Sequence, residues 1–245
     1  MRFSVRVGTV MQCSKLNYQI WAIAVYLFVT NIKGISSMKL HRELSITQKS
    51  AWHLAHRLRV GLEPKSIQEF LGPVEVDETY IGGKEGNKHA SKKLHAGRGT
   101  VGKIAVVGAK DQDTNTVSAE VVERTDSDTL QDFIIRQVDQ KATVFTDDAR
   151  AYQGMSYTHK AVKHSVGEYV DGMAHTNGIE SFWALLKRGY HGVYHQMSKQ
   201  HLFRYIGEFA TRHNIRKTDT IDQIAYLYGQ MEGKQLKYAE LAGRV

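Results

Sequence analysis

Near residue 70 the apolar periodicity of this chain changes, and that change limits what it can fold into. Before it, apolar residues recur at helical spacing, as in Ala51, Leu54, Ala55 and Leu58, the pattern of a helix with one buried face. The period predicts helices over Tyr18–Asn31, Ser36–Leu44 and Thr47–Leu62. Beyond it, Val74–Tyr80 alternates, Lys103–Ala109 is an apolar β-branched run and Thr116–Val122 alternates again, so three consecutive strands are expected. A helix over Ser127–Gln140 follows, with Ser127 as its N-cap and Leu130, Phe133, Ile134 and Val138 on its apolar face. The rest reads as a strand at Ala142–Phe145, a turn at Thr146–Asp148 and a short helix at Ala149–Tyr152. A strand at Lys160–His164 and a long helix at Thr176–Arg188 complete the order. The two prolines, Pro64 and Pro73, fall at the change of period and mark a boundary. The expectation is a small all-α region over 1–70, an α/β domain over 71–216 and a helical tail over 217–245.

Thirty-three Lys and Arg against 25 Asp and Glu give a net charge of +8, which favours a polyanionic partner, with nucleic acid the leading candidate. Cys13 is the only cysteine, so the chain has no intrachain disulfide and offers no cysteine-based zinc site. No zinc is expected from it. The apolar run Ile20–Val29 is shorter than the roughly 20 residues of a spanning helix. It also starts late and lacks a small-residue cleavage site at Thr30–Lys33. No membrane partner is expected, and the location is a reducing cytoplasm, in association with the nucleoid.

Within the helical region, Gly34–Leu44 and Ser45–Trp52 give two short helices joined by a tight turn, the spacing of a helix-turn-helix. In that motif the start of the second helix approaches base edges, which here nominates Thr47, Gln48, Lys49 and His53, with Arg57 and Arg59 reaching phosphates. Helical hairpins of other kinds share this pattern. The loop Gly82–Gly102 carries Lys84, Lys88, Lys92, Lys93 and Arg98 against Glu85. It is read either as a solvated connection or as a phosphate-contacting loop.

Three carboxylates stand out. Asp77 lies within a strand in which Glu75, Asp77 and Thr79 share one face. Asp147 follows the carboxyl end of another strand, where α/β sheets commonly bind ligands. Glu180 lies on the last long helix with Asn177 three residues before it and Lys187 seven after it, all on one face. Converging oxygen ligands of this kind suit two hard divalent cations, Mg²⁺ or Mn²⁺, and phosphoryl transfer. Singly, each has a structural explanation: a strand-edge charge, a helix cap and a solvated Glu–Lys stripe. His175, Thr176 and Asn177 open the helix, where free N–H groups with Lys187 and Arg188 nearby favour a phosphate. His175, His191 and His195 match no metal-ligand motif and are read as surface or DNA-backbone residues.

Val76–Gly83, Thr146–Tyr152 and His175–Gly189 together resemble bacterial DDE insertion-sequence transposases of the insertion-sequence fifteen-ninety-five group, and the resemblance runs from Phe3 to Arg216. It implies a ribonuclease H-like mixed sheet flanked by helices. It implies Asp77, Asp147 and Glu180 as catalytic acids and ligands of two Mg²⁺ or Mn²⁺ ions, with Asn177 an alternative third ligand, and Lys187 contacting DNA near the transposon end. Relatives usually carry a cysteine zinc ribbon ahead of the segment seen here as Phe3–Met11, and this chain begins inside that segment. The expected activity is DNA cleavage at transposon ends and strand transfer into target DNA, by a homo-oligomer on two ends. The alternatives are a truncated, non-mobile DNA-binding regulator of a full-length relative, and a nuclease cutting RNA in hybrids.

Overall fold

A computed structural model describes residues 4–63, 69–83, 89–94, 99–147, 150–162 and 176–243, and across them the change in period is a change in architecture. The N-terminal region holds α1 (Tyr18–Thr30), α2 (Ser37–Leu44) and α3 (Gln48–Leu62). Each starts where a side chain accepts a first-turn N–H: Asn17 from Ile20, Ser36 from Lys39 and Thr47 from Ser50. Ser45, left-handed at φ 51°, ends α2 and turns the chain into α3. Trp21, Phe28, Leu40, Leu54 and Leu58 meet in one core.

That core is closed from the far end of the chain. α7 (Thr220–Gln230) and α8 (Tyr238–Leu241) bring Leu227 and Leu241 into it, with Met231 and Leu236 from the segment between them. The stretch read from sequence as a tail is thus part of the N-terminal packing. Local periodicity shows that a face is apolar, not which distant face covers it.

The α/β region contains β1 (Val74–Ile81), β2 (Ile104–Asp111), β3 (Val117–Val122), β4 (Thr143–Asp147) and β5 (Thr158–Val162), in the order β3-β2-β1-β4-β5. β1, β2 and β3 pair antiparallel, whereas β4 lies parallel to both β1 and β5. α4 (Ser127–Gln137) covers one face with Leu130, Phe133 and Ile134 against Val76, Val107 and Val144. α5 (Asn177–Gly189) and α6 (Leu202–Ile215) cover the other, packing Ile179, Phe182, Trp183 and Phe209 with Val106. This mixed sheet between helices is a ribonuclease H-like arrangement, as the resemblance implied.

Element edges differ in instructive ways. Asp126, not Ser127, caps α4, its carboxylate accepting the Thr129 N–H at 3.1 Å. The helix stops at Gln137 because Val138 turns extended and bridges Phe70. After α5 the backbone continues through a π-turn at Tyr190–Tyr194, which apolar spacing did not foreshadow.

A buried ionic knot joins the two regions. The Arg59 Nε of α3 donates to Glu208 Oε2 of α6 at 2.7 Å, and Arg212 Nε and the Tyr194 hydroxyl donate to Glu208 Oε1 at 3.0 and 3.1 Å. Glu208 is fully buried and Arg59 is 2% exposed. The Arg59 guanidinium also stacks 3.9 Å from the Tyr205 ring centre.

Candidate active site

The parallel register of β1 and β4 sets Glu75 opposite Phe145. Two residues further along each strand, and so on the same face, come Asp77 and Asp147. α5 lies against that face. Asp77 Oδ1 accepts the Glu78 N–H at 2.8 Å, and Oδ2 accepts the indole N–H of Trp183 at 3.0 Å. The indole fits because the residue opposite Asp77 on β2 is Gly108. A Cβ there would stand 2.7 Å from the Trp183 ring.

Burial is the main force pushing the Asp77 carboxyl up, to about 7, and the charge of Glu78 adds to it; Asp147 and Glu180 push the same way, against the Glu78 N–H that favours the anion. Four acids from β1, β4 and α5 therefore share one electrostatic environment. Glu78 points from the other face of β1, where it accepts the hydroxyl of the buried Tyr152 at 2.7 Å. Burial first, and Asp147 in addition, raise Glu78 as well.

Glu180 and Asn177 sit in the first turn of α5 on its exposed side, while Ile179, Phe182, Trp183 and Leu186 face the core. The Thr176 hydroxyl donates to Glu180 Oε1 at 3.1 Å instead of capping the helix. Lys187 and Arg188 are exposed in the last turn. One helix thus carries an acid at its start and bases at its end along its solvent side.

The oxygen donors are of the kind that Mg²⁺ and Mn²⁺ take, and their mutual repulsion is what a divalent cation would relieve. Among the described residues no group of three or more His, Cys, Asp or Glu is arranged to hold a metal ion. The acids are neighbours in charge rather than a preformed cage. No helix among those residues is long and apolar enough to cross a membrane.

In the helical region Thr47, Gln48 and Lys49 are exposed at the start of α3. Gln48 donates to Ser37 Oγ at 3.2 Å and the Lys49 ammonium stands 4.6 Å from the Tyr238 ring centre. Arg57 and Arg59, expected to reach phosphates, are turned inward. Arg57 is 6% exposed and its Nε donates to the Leu236 carbonyl at 3.2 Å, while Arg59 is held by Glu208. The reason is that every residue of α3 from Leu54 to Leu62 is buried, because α2, α6 and α7 all pack on it. His53, half-buried, is likewise 3.0 Å from the Leu236 carbonyl. Lys92 ends a 3₁₀ turn over Ala90–Lys92 and Lys93 follows it, half-buried. Lys84, Lys88, Arg98 and His175 lie outside the described residues. His191 and His195 are exposed beyond α5.

Trp183, Tyr152 and Gly108 were not singled out from sequence, and Thr176 was read only as part of the opening of the helix, not as the partner of Glu180. Their roles depend on contacts between elements far apart in the chain, and no local pattern signals them. Glu75 was placed on the face of Asp77, and an acid on a face that must be covered was the available sign of a role.

Residues 69–214 match the family model described as the ISXO2-like transposase domain. The chain is also 27% identical over 226 residues, 87% of its length and 75% of the relative's, to an uncharacterized protein in the transposable element ISH50 of Halobacterium salinarum. The matched region takes in the whole five-stranded sheet and α4, α5 and nearly all of α6. With the mixed sheet, the acids on the paired strands β1 and β4 and a family match over more than half its length, the chain belongs to the ISXO2-like transposases.

Proposed function

We propose that the protein is a Mg²⁺- or Mn²⁺-dependent DDE transposase that cleaves DNA at transposon ends and joins the freed 3′-hydroxyls to target DNA. The observation that carries this reading is that Asp77 and Asp147 share one face of the neighbouring strands β1 and β4, and that α5, which bears Glu180, packs on that face and is hydrogen-bonded to Asp77 through Trp183. Asp77, Asp147 and Glu180 would hold two ions, with Asn177, exposed in the same helical turn as Glu180, as the alternative third ligand. An anionic oxygen is the better ligand for Mg²⁺. When bound, the ions lower the cost of forming the attacking oxygen nucleophile and of stabilising the leaving oxygen.

The chain's own groups supply orientation. The Glu78 N–H and the Trp183 indole each hold one oxygen of Asp77, and Thr176 ties Glu180 back to the start of α5. Lys187 and Arg188, exposed in the last turn of α5, would bind backbone phosphates of the DNA. Thr47, Gln48 and Lys49 present the exposed start of α3 to DNA, with Lys92 and Lys93 as further phosphate contacts. Action on two ends implies a homo-oligomer, and chromosomal DNA as substrate implies association with the nucleoid.

The test uses purified chain with duplexes carrying the element's terminal sequences. Asp77→Asn is expected to abolish strand transfer while DNA affinity stays within a few-fold, since it removes a metal ligand and no phosphate contact. A variant that still transfers overturns the assignment. Wild-type chain that binds end DNA without cleaving it, in either metal, shows a DNA-binding regulator instead.

A further inference from the structure

We infer that Glu75 is a positioning residue, a buried carboxylate that anchors the first turn of α5 to β1 and so sets where Glu180 and Asn177 stand relative to Asp77. The inference rests on the proposed metal-dependent reading for its consequence, but not for its geometry.

Glu75 is 1% exposed, an environment in which a carboxylate persists only with close partners. It has them. Oε2 accepts the backbone N–H of Ile179 at 2.7 Å, and Oε1 accepts the side-chain amide of Gln112 at 3.0 Å. Its cross-strand neighbour is Lys110. A Cβ on Gly178 would lie 2.6 Å from Lys110 Nζ and 2.7 and 2.8 Å from the two Glu75 oxygens. Lysine, carboxylate and the backbone of α5 therefore meet at one point, which only a residue without a side chain leaves open.

The need for this contact follows from how α5 begins. First-turn N–H groups have no partner within a helix, and the residue before it normally supplies one. Thr176 occupies that place but gives its hydroxyl to Glu180. The acceptor for Ile179 comes instead from β1, an acidic side chain at the positive end of the helix. Ile179 is fixed twice, by this bond and by a side chain with no exposed surface, and Glu180 is the next residue. β1 thus carries Asp77 on one side chain and, two residues earlier on the same face, the anchor for the helix that carries Glu180. A ligand set drawn from separate elements depends on such supports, and losing one typically costs about 10- to 100-fold in metal affinity.

The experiment compares wild type, Glu75→Ala, Glu75→Gln and Gly178→Ala as full chains. It reads amide exchange at Ile179 by NMR and Mn²⁺ affinity by calorimetry. Glu75→Ala is expected to speed Ile179 exchange by at least about tenfold and weaken Mn²⁺ binding by about tenfold or more. Glu75→Gln, which keeps an acceptor oxygen, should recover most of both. Gly178→Ala, which pushes the same contact apart from the helix side, should repeat the alanine result if Glu75→Ala does not fold. Unchanged Ile179 exchange in folded Glu75→Ala or Gly178→Ala overturns the anchor. Faster exchange with unchanged Mn²⁺ affinity reduces it to a helix cap and overturns the positioning role. Wild-type chain that binds no Mn²⁺ overturns the metal reading and the positioning role with it, while exchange still reports on the contact.

Discussion

Trp183 donates its indole N–H to Asp77 at 3.0 Å across 106 positions of the chain, and it does so over Gly108, the one kind of residue that leaves room for the ring. Trp183→Phe keeps most of the packing and loses the hydrogen bond. It is expected to slow strand transfer by about tenfold, at a stability cost of about 1 kcal/mol. Gly108→Ala forces the indole away and should cost about 1–3 kcal/mol, with the same loss of rate. Denaturant melts beside the transfer assay check both, and wild-type rates in both variants would remove Trp183 from the machinery.

Ligand binding to the acids should appear as stability. Mn²⁺ at 100 times its dissociation constant is expected to stabilise the chain by about 2.7 kcal/mol. Chelation should reverse the effect and Asp147→Asn should lose most of it. Thermal melts with and without chelator decide the point; equal shifts in wild type and variant would mean that the ion binds elsewhere.

Lys187 is exposed on α5 and Arg57 is buried against Leu236, so their effects on DNA binding should differ in kind. Lys187→Ala should lower the slope of log affinity against log salt by about 0.9, the value of one phosphate contact. Arg57→Gln should leave that slope unchanged. Binding titrations across a salt series measure both, and a reduced slope in the Arg57 variant would contradict its inward placement.

Glu208 neutralises two guanidinium groups at the seam between α3 and α6. Glu208→Ala leaves both charges with no anion at that point and should cost about 3–5 kcal/mol. Urea melts report the loss, and a cost below about 1 kcal/mol would show that the knot contributes little to stability.

Acid should unfold the chain through two buried imidazoles. Burial first, with Arg59, His201, Arg204 and His53 around it, lowers His56 from 6.5 to about 2; Trp52 and Tyr205 complete its surroundings. Burial, Arg216 and Lys110 lower His213 from 6.5 to about 4. Between pH 6.5 and about 4 both imidazoles take up protons in the unfolded chain but not in the folded one. Stability present above that pH is lost as it falls, by about 1.4 kcal/mol per unit for each. His56→Leu should remove its share of the slope between pH 6.5 and 4. Melts across that range test this, and an unchanged slope would show that His56 is protonated in the folded state.

The order of helices and strands as far as α5, and the apolar face with which α4 covers the sheet, were legible in the sequence, because periodicity and capping chemistry act over a few residues; α6, which covers the other face with α5, was not read. Val76, Phe133 and Ile179 could not be exposed, and Asn17, Ser36 and Thr47 could do little better than begin helices. The three motifs likewise identified the family, since Asp77, Asp147 and Glu180 stand in recognisable local company. What the tertiary structure alone decided is everything that depends on which distant surfaces meet. It turned Arg57 and Arg59 inward by surrounding α3, and it folded α7 and α8 back onto the N-terminal core. It moved the cap of α5 from Thr176 to Glu75, and it cleared Gly108 for Trp183. Each is a contact between residues tens to more than a hundred positions apart, set by the three-dimensional closure of the chain and therefore absent from any local pattern.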